Sequence, residues 1–590
     1  MGSTDKKEQI MRGIPASPGI AIGLVHRMVF DEPNVMPRKL APSEVPQELG
    51  RFDKALDETR AAIERSRERA LDVAGVAVGK IFDAHLLILA DEVFHDQVRA
   101  RITREQFDAE YIIYDSFGHM MEVIGKSAGE IFRERAMDLR DVRTRLLRYL
   151  RGEGDIIPDH PTHEVILVAE DLSPTQALNL DRELVHGIAT DIGGLTSHTA
   201  ILARSLDIPT IVGMGDISSK VQDGDSIILN GNSGKVILNP TEASFAEYKE
   251  KRERFRSFQR YLEDIKNQPA MTLDGREIQL WGNIELPREA ESVLSHGGTG
   301  VGLFRSEFLF LTRETTPTED EQFGMYDRAA EIMAPNPVVI RTFDLGGDKY
   351  HAGINIHNEK NPFLGYRAIR VSLSRRDLFR SQLRAILRAS ARGNVRVMFP
   401  FVSGFEELRE AKTVLEEAKH ELNQRKIAFD PNLPVGIMVE IPSAAIMADR
   451  LAEECTFFSI GTNDLIQYTT ATDRANEQVA SYYRSYHPAV LRMIDMTIKA
   501  GDKKGVHVGI CGELGGSPAA TPLLVGMGMT EISMTSAMIP EIKKIIRSLT
   551  YEECVRMARK ALKMDTSQEI MTYMQRELKK RFADLPIWFS

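Results

Sequence analysis

The last 320 or so residues alternate short apolar runs with helical segments, and this alternation restricts the fold more than any other feature. The runs that have the length and composition of buried strands are IQLWGNI, GVGLF, VVIRTF, VRVMFPF, VGIMVEI, TFFSIG, VHVGIC and EISM. Segments such as FEELREAKTVLEEAKHEL, whose apolar residues recur at helical spacing, separate them. This series predicts a (β/α)8 barrel of the TIM type over residues 269–590, with functional side chains at the carboxyl ends of its strands.

The chain before the barrel predicts an α/β domain interrupted by helices. A strand is expected near Gly19 to Val25, and amphipathic helices follow over residues 31–149. Short strands then return, with an Asn/Gly turn in IILNGNSGKVIL that is typical of a hairpin. Because the early strand has no partner in the helical stretch, we expect it to join the later sheet. The protein would then be a multidomain α/β protein in which one α/β domain comprises residues 1–30 and 150–239. The helices would form an insertion in this domain.

Residues 240–268 predict one long charged helix between the two regions. Its apolar stripe consists of Phe245, Tyr248, Phe255 and Leu262. A helix of this kind is a natural connector between domains.

Charge and cysteine content exclude several classes of protein. The 75 basic and 85 acidic side chains give a net charge of −10, which disfavours nucleic acid and anionic membranes as general partners. The three cysteines have no zinc or thioredoxin spacing, as expected in a reducing cytoplasm. The charged N-terminus is followed by no apolar signal region, and no stretch is apolar for long enough to cross a bilayer. We therefore expect a soluble cytoplasmic protein with no membrane insertion.

The segment GGLTSHTAILARSL, Gly193 to Leu206, places a histidine at the start of a predicted helix. Thr196 or Ser197 can cap this helix, and His198 would lie in its first turn. Free backbone N–H groups and the positive end of the helix dipole favour a negatively charged adduct there. His198 is thus a candidate phosphoryl acceptor, although a lone histidine more often has a structural role.

A second group of polar side chains follows the predicted barrel strands. Its members are Arg305, Arg341, Lys349, Glu440, Asn463, Asp464, Arg474 and Cys511. Guanidinium groups bind phosphate and carboxylate with paired hydrogen bonds, and two carboxylates are hard oxygen ligands suited to Mg²⁺. Each could instead form an ordinary ion pair, but their shared position at strand ends points to one site.

The glycine-rich segment GGTGVG, Gly297 to Gly302, does not indicate a dinucleotide site. It leads into a predicted strand, so that a pyrophosphate would lack the helix terminus that binds it. The sequence also contains no GxxxxGK[ST] loop for a nucleoside triphosphate.

In these motifs the sequence resembles the enzyme I family of the bacterial phosphoenolpyruvate-dependent phosphotransferase system. The resemblance runs nearly end to end, through ASPGIAIG, TSHTAILARSLDIPTIVG, RTFDLGGDK, NPFLGYRAIR, VEIPSA, GTNDLIQYT and ICGELGG. It implies transfer of the phosphoryl group of phosphoenolpyruvate to a histidine and then to the phosphocarrier protein HPr, with release of pyruvate, as the first step of sugar uptake.

The resemblance also implies a role for each candidate residue. His198 would be phosphorylated on Nε2, and Cys511 would protonate the enolate at its methylene carbon. The phosphate clamp would consist of Arg305, Arg341, Lys349, Asn463 and Arg474. Glu440 and Asp464 would be the Mg²⁺ ligands.

For partners, the resemblance implies that the insertion binds HPr and that the barrel forms a homodimer. The implied docking face consists of Phe82, His85, Asp91, Glu92, Met120 and Arg135. Since one His198 cannot contact both the barrel and the carrier at once, we expect a hinge near Asn239 and Gln268.

Two departures from the family pattern concern tuning of the site. Leu195 precedes Thr196 where the family usually has arginine, and Ala177 stands where a hydroxyl is common. If the hydroxyl contacts the histidine, its loss would alter the orientation of His198 or the lifetime of its phosphorylated form.

Two alternatives remain open at this point. A pyruvate phosphate dikinase or phosphoenolpyruvate synthase would need an ATP-binding module, for which the helical stretch is too small. A catalytically silent binding protein on the same scaffold would have no reason to retain the candidate residues. Since no sensory domain precedes Gly13, we expect the sugar-type branch and not the nitrogen-related one.

Overall fold

The computed structural model describes residues 7–28, 35–74, 76–125, 130–154, 163–194, 197–206, 208–311, 315–346, 361, 363–474, 476 and 478–582. The chain forms two compact units, Met1–Ser257 and Phe258–Ser590. No helix within these described ranges is both long enough and apolar enough to span a membrane.

The first unit contains a mixed sheet. Its strands are β1 (Gln9–Arg12), β2 (Ile14–Ser17), β3 (Ile20–Met28), β4 (Val165–Ala169), β5 (Val185–Thr190), β6 (Thr210–Val212), β7 (Ser226–Asn230) and β8 (Lys235–Leu238). Their order in the sheet is β1-β8-β7-β3-β4-β5-β6-β2. The strand β3 pairs with β4 in parallel and with β7 antiparallel, so the early strand does join the later sheet. The predicted hairpin is the antiparallel pair β7 and β8.

Five helices lie in the described chain between β3 and β4, and further helices flank the sheet. The helices of this unit are α1 (Val45–Ala74), α2 (Val76–Leu89), α3 (Glu92–Glu105), α4 (Ala109–Gly125), α5 (Glu130–Leu150), α6 (Pro174–Leu178), α7 (His198–Ser205) and α8 (Ile217–Lys220). Residues of α1–α5 share one hydrophobic core with Leu167 of β4 and Leu202 of α7. Ile166 and Val168 of β4 face a second core on the other side of the sheet. Both faces of β4 are therefore buried, and the helices pack directly against the helix that His198 begins.

The connecting helix α9 (Glu242–Ile265) has one end in each unit. Near its start, Tyr248 is buried with Ile228 and Ile237 of the first unit. Near its end, Phe258 belongs to the core of the second unit. Phe245 of the predicted apolar stripe is 46% exposed, so only part of the stripe is covered.

The second unit is a closed parallel barrel, as the strand pattern predicts. Its strands are β9 (Gln279–Ile284), β10 (Val301–Arg305), β11 (Val338–Arg341), β12 (Val395–Phe399), β13 (Val435–Val439), β14 (Phe457–Ile460), β15 (His507–Ile510) and β16 (Glu531–Met534). The barrel closes through parallel pairing of β16 with β9. Every predicted strand corresponds to one of these eight.

Helices surround the barrel. They are α10 (Glu289–Ser295), α11 (Phe308–Leu311), α12 (Glu319–Met333), α13 (Ile369–Ser374), α14 (Arg376–Ser390), α15 (Phe405–Gln424), α16 (Pro442–Ile446), α17 (Ala448–Leu451), α18 (Thr462–Thr470), α19 (Pro488–Lys504), α20 (Thr521–Met527), α21 (Ile539–Arg547), α22 (Tyr551–Ala561) and α23 (Ser567–Arg581). Short 3-10 helices lie at Ala480–Tyr482, Glu513–Gly516 and Ser536–Met538.

The glycines of GGTGVG allow close packing at the start of the barrel. Gly297 has a φ of +77°, and a Cβ atom there would lie 1.8 Å from the carbonyl oxygen of Lys266. Lys543 donates to the carbonyl oxygens of both Lys266 and Gly297, which fixes the chain just after α9 to the barrel. The segment then enters β10, as predicted.

Candidate active site

His198 is the first residue of α7 because Ser197 caps that helix. The hydroxyl of Ser197 accepts from the backbone N–H of Ala200 at 3.4 Å and donates to the carbonyl of Gly194 at 2.9 Å. Gly193, with φ of +121°, provides the left-handed turn that precedes the cap. Of the two predicted caps, the structure thus uses Ser197, while Leu195 and Thr196 lie outside the described residues.

The imidazole of His198 lies against an acidic side chain of α5. Its Nδ1 is 3.6 Å from Oδ1 of Asp138, and the side chain is 19% exposed. Burial lowers the pKa of His198, although the charges of Asp138 and Asp141 act in the opposite direction. The ring is therefore neutral at neutral pH, and because Nδ1 faces Asp138, Nε2 is the nitrogen that faces away from this carboxylate.

A buried polar network lies behind this contact. Nε2 of His85 is 3.1 Å from the same oxygen of Asp138, and Nδ1 of His85 is 3.6 Å from Asp141. Thr175 donates to Asp141 at 2.6 Å. Asp138 thus interacts with both His85 and His198. Because His85 holds the carboxylate of Asp138 in place, this carboxylate has little freedom to move with the ring of His198.

The prediction that Phe82 and His85 lie on a docking face is wrong. Phe82 is fully buried in the core of the helical part, and His85 is 1% exposed. Both side chains point inward from α2, where His85 pairs with Asp138 instead of facing solvent. Phe82 therefore supports the fold, and His85 supports the surroundings of His198.

The other residues of that face are accessible to different degrees. Glu92 and Arg135 are exposed, and Met120 is half-buried. Asp91 caps α3 by accepting from the backbone N–H of Phe94 at 3.1 Å. Two exposed apolar side chains that the sequence did not single out, Leu87 (75%) and Val93 (67%), flank Asp91 and Glu92 in the chain.

In the second unit, the predicted residues follow barrel strands, and most lie at one end of the barrel. Arg305 and Arg341 end β10 and β11, Glu440 follows β13, Asp464 lies in the first turn of α18 after β14, and Cys511 follows β15. Lys349 lies outside the described residues. Since the carboxyl ends of parallel strands meet at one edge, these side chains converge at the barrel mouth.

Two buried arginines carry the positive charge of this mouth. Arg341 pairs with Glu307 and lies 3.4 Å from Asp344. Arg367 binds both oxygens of Asp344 at 3.0 Å and lies 3.3 Å from Asp464. Both guanidinium groups are about 5% exposed, so they are fixed and largely dehydrated. Dehydrated, fixed guanidinium groups are well suited to bind a phosphate.

Arg367 was missed as a site residue because it follows no strand. It precedes α13, and Ala368 beside it has a φ of +50°, which is strained for alanine. Gly346 permits this approach, since a Cβ atom there would lie 2.6 Å from Cβ of Arg367. The signal in the sequence was the run NPFLGYRAIR, which contains this arginine.

Glu440 and Asp464 form a carboxylate pair beside the two arginines. Glu440 is 1% exposed, and its Oε1 accepts from the backbone N–H of Phe401 at 2.6 Å. Burial, together with the charges of Asp464 and Asp344, raises the pKa of Glu440 to about 8. A cation near these oxygens would relieve that repulsion. Within the described ranges no three His, Cys, Asp or Glu side chains are grouped as a complete metal site, so a cation here would need ligands from water or substrate.

Cys511 lies on the inner face of the barrel and is 3% exposed. Burial raises the pKa of its thiol to about 11, so the thiol is protonated at neutral pH. A protonated thiol can serve as an acid, whereas nucleophilic attack would require the thiolate.

The chain after Cys511 packs tightly against the start of α18. A Cβ atom on Gly512 would lie 1.9 Å from Oγ1 and 2.6 Å from the amide nitrogen of Thr462. Asn463 extends this contact, because its amide donates to Oε1 of Glu513 at 2.9 Å. The loop that carries the thiol and the helix that carries Asp464 are thereby held together.

The two remaining predicted residues lie at the rim. Arg305 is half-buried at the end of β10, where it donates to Glu285 at 3.2 Å. The side chain of Arg474 is exposed, while its backbone N–H donates to Gln467 at 3.1 Å. Arg474 is therefore close in sequence to residues of the barrel mouth, but its side chain does not enter the buried cluster there.

Comparison with known proteins places both units in one family. Family models match residues 12–135 (PEP-utilising enzyme, N-terminal), residues 161–234 (PEP-utilising enzyme, mobile domain) and residues 259–551 (PEP-utilising enzyme, PEP-binding domain). The phosphoenolpyruvate-protein phosphotransferase of Bacillus sp. (strain S) is 41% identical over 97% of this chain and 98% of the relative. That of Bacillus subtilis (strain 168) is 41% identical over 97% of this chain and 100% of the relative. At this identity over nearly the full length of both chains, the protein belongs to the PEP-utilising enzymes and, within them, to the phosphoenolpyruvate-protein phosphotransferases.

Proposed function

We propose that the protein transfers the phosphoryl group of phosphoenolpyruvate to Nε2 of His198 and then to the phosphocarrier HPr, releasing pyruvate. The observation that carries the proposal is the barrel mouth, where two fixed arginines, a carboxylate pair and a protonated thiol converge. Family membership supports the same reaction.

The first step breaks the bond between the phosphoryl phosphorus and the enol oxygen and forms a bond between that phosphorus and Nε2. His198 is suited to it because its ring is neutral, so that the lone pair of Nε2 is available. Phosphoryl transfer proceeds through a loose transition state, so catalysis depends on positioning and on neutralising charge. Arg341 and Arg367 would supply both, with Arg305, Arg474, Asn463 and Lys349 proposed as further contacts.

The second step protonates the enolate of pyruvate. The proton of the Cys511 thiol passes to the methylene carbon, which forms a C–H bond and leaves a thiolate. Because pyruvate in its keto form is far more stable than the enolate, this step draws the transfer forward.

Glu440 and Asp464 are the proposed ligands of Mg²⁺. Two hard oxygen donors and a raised carboxyl pKa fit a divalent cation that also takes ligands from a phosphate and water. When bound, the cation would neutralise charge on the phosphate and the enolate oxygen.

The proposal assigns a role to each segment. Residues 1–30 and 150–239 would form the phosphohistidine domain, residues 31–149 the HPr-binding insertion, residues 240–268 the connecting helix and residues 269–590 the barrel that binds phosphoenolpyruvate. The barrel is also proposed to form the homodimer that the family resemblance implies. Because it would act on phosphoenolpyruvate and HPr, the protein is proposed to work in the cytoplasm.

The swing of the phosphohistidine domain requires a pivot, which we now place within α9. Tyr248 fixes the start of this helix to the first unit and Phe258 fixes its later part to the barrel core. The ends near Asn239 and Gln268 are therefore less suited to bend than the exposed, charged stretch between these two anchors.

The docking face for HPr is proposed around Asp91, Glu92, Met120 and Arg135. Exposed Leu87 and Val93 would take the place of Phe82 and His85 as its apolar part. Acidic side chains beside apolar ones suit a basic carrier surface.

Incubation with labelled phosphoenolpyruvate and Mg²⁺ tests the proposal. The wild type should acquire an acid-labile, base-stable label and release pyruvate without ATP, while His198→Ala should acquire none and still bind phosphoenolpyruvate. His119→Ala, which removes a 76% exposed histidine of the same unit, is the matched control and should label normally. Label on His198→Ala, or dependence on ATP, would contradict the proposal.

A further inference from the structure

Ser459 places a buried hydroxyl inside the barrel without a regular hydrogen bond. The residue lies on β14 and is 2% exposed. Its Oγ has no hydrogen-bond partner among the residues that the structure describes. By contrast, Ser533 on β16 is also buried, at 0% exposed, and its hydroxyl donates to Asn283 at 2.6 Å. An unpaired buried hydroxyl is costly, so a partner that exists only during the reaction is a reason for its presence.

The strand register places Ser459 beside Cys511. The strands β14 and β15 are parallel, with Ser459 opposite Gly509 and Ile460 opposite Ile510. Cys511 is therefore one pleat further along than Gly509 and shares its inward face. Phe457 and Cys511 both belong to the inner cluster of the barrel, which fixes that face as the interior. The hydroxyl and the thiol are diagonal neighbours on the same wall.

The electrostatic surroundings of the thiol agree with this placement. Burial is the main cause that raises the pKa of Cys511, and Ser459 and Arg341 act against it. The charge of Glu440 raises that pKa, whereas the charge of Arg305 lowers it. The sulfur also lies 3.8 Å from the carbonyl oxygen of Ile460, a long contact for a thiol donor. That carbonyl oxygen can accept a hydrogen bond from a thiol, but it has no hydrogen to donate to a thiolate.

We propose that Ser459 is a positioning residue for proton transfer by Cys511, and that its hydroxyl donates a hydrogen bond to the sulfur as the thiolate forms. The inference rests on the proposed function. As the S–H bond breaks, its electron pair stays on sulfur, and the proton forms a C–H bond at the methylene carbon of the enolate. The O–H of Ser459 stabilises the resulting thiolate, which regains a proton from water before the next turnover.

Single-turnover formation of pyruvate from phosphoenolpyruvate and Mg²⁺, in H₂O and in D₂O, tests this role. Ser459→Ala should slow pyruvate formation ten- to hundredfold, as expected for losing a hydrogen bond to a charged group, and should enlarge the solvent isotope effect. The phosphoenolpyruvate concentration that gives the half-maximal single-turnover rate should change less than twofold. Ser459→Thr, which keeps the hydroxyl, should retain most of the rate, and Ser459→Cys, a weaker donor of similar size, should be intermediate.

Thr497→Val is the control for removing a buried hydroxyl. Thr497 is fully buried on α19, where its hydroxyl donates to the carbonyl oxygen of Met493, one turn earlier in the same helix, at 2.8 Å. If Ser459→Ala matches this control in rate and isotope effect, the inference fails while the proposed function stands. If the Thr and Cys variants are as slow as Ser459→Ala, packing and not the hydroxyl matters, and the inference also fails. If the wild type forms no pyruvate, the proposed function itself is wrong.

Discussion

Replacing Glu440 by glutamine should stabilise the metal-free barrel while abolishing activity. The carboxyl is buried beside the charges of Asp464 and Asp344, which raise its pKa to about 8. In the unfolded chain the same group has an ordinary pKa near 4.5 and is ionised at pH 7. Folding at pH 7 without a cation therefore requires Glu440 to take up a proton. Glutamine needs no proton, and its carbonyl oxygen can still accept from Phe401.

The size of this effect follows from the two pKa values. Protonating a carboxyl roughly 2.5 pH units above its ordinary pKa costs about 3 kcal/mol, at about 1.36 kcal/mol per unit. Because the folded state binds more protons between pH 4.5 and 8, the free energy of unfolding of the wild type should fall as pH rises through this window. The variant should lack this decline, so its advantage should grow from small values near pH 5 to about 3 kcal/mol at pH 7.

Denaturant unfolding followed by tryptophan fluorescence measures this difference on the full chain. Trp281 lies in the inner cluster of the barrel and reports its unfolding, and the other tryptophan of the sequence is Trp588. In chelator, Glu440→Gln should unfold at higher denaturant than the wild type, whereas Mg²⁺ should stabilise the wild type and leave the variant unchanged. Glu416→Gln, which removes a 67% exposed carboxylate, should change neither quantity by more than about 0.5 kcal/mol. A variant that is less stable than the wild type in chelator at pH 8, or that gains as much from Mg²⁺, would refute the reasoning.

Three further substitutions test other parts of the proposal. Cys511→Ser should reduce the turnover number at least a hundredfold with little change in substrate affinity, because a serine hydroxyl is a far weaker acid than the thiol, and an unchanged steady-state rate of pyruvate release would remove Cys511 from the mechanism. Gly512→Ala should lower turnover at least tenfold, because the added Cβ would overlap the backbone of Thr462. Normal kinetics in this variant would show that the chain around Thr462 can move to make room for the added atom. Glu92→Lys should raise the KM for HPr about tenfold without changing labelling of the enzyme by phosphoenolpyruvate, and equal loss of both activities would argue against a docking role for this exposed carboxylate.

The barrel could be predicted from the sequence because its signal is local. Each strand is a short apolar run, and eight such runs separated by helices leave few topologies besides closure. The site residues at strand ends followed from that topology. Arg367 did not, since it is positioned by a strained turn against Gly346 and not by a strand.

The docking face was harder to predict because its residues lie on helices whose buried side is set by distant neighbours. The helix α2, VAVGKIFDAHLLIL, is apolar almost throughout, so its periodicity does not separate an inner from an outer face. The position of His85 depends on Asp138, which lies on α5. A charged partner 53 residues away leaves no mark on the local pattern.

The close contact of Gly512 with Thr462 has a consequence for building chimaeras of this enzyme with its relatives. Neither segment leaves room for the other to change shape, so grafting one loop alone from a divergent homologue would introduce a mismatch at the barrel mouth. The chain around 459–464 and the chain around 511–513 should be exchanged as a single block, and natural variation in the two stretches should be inherited jointly.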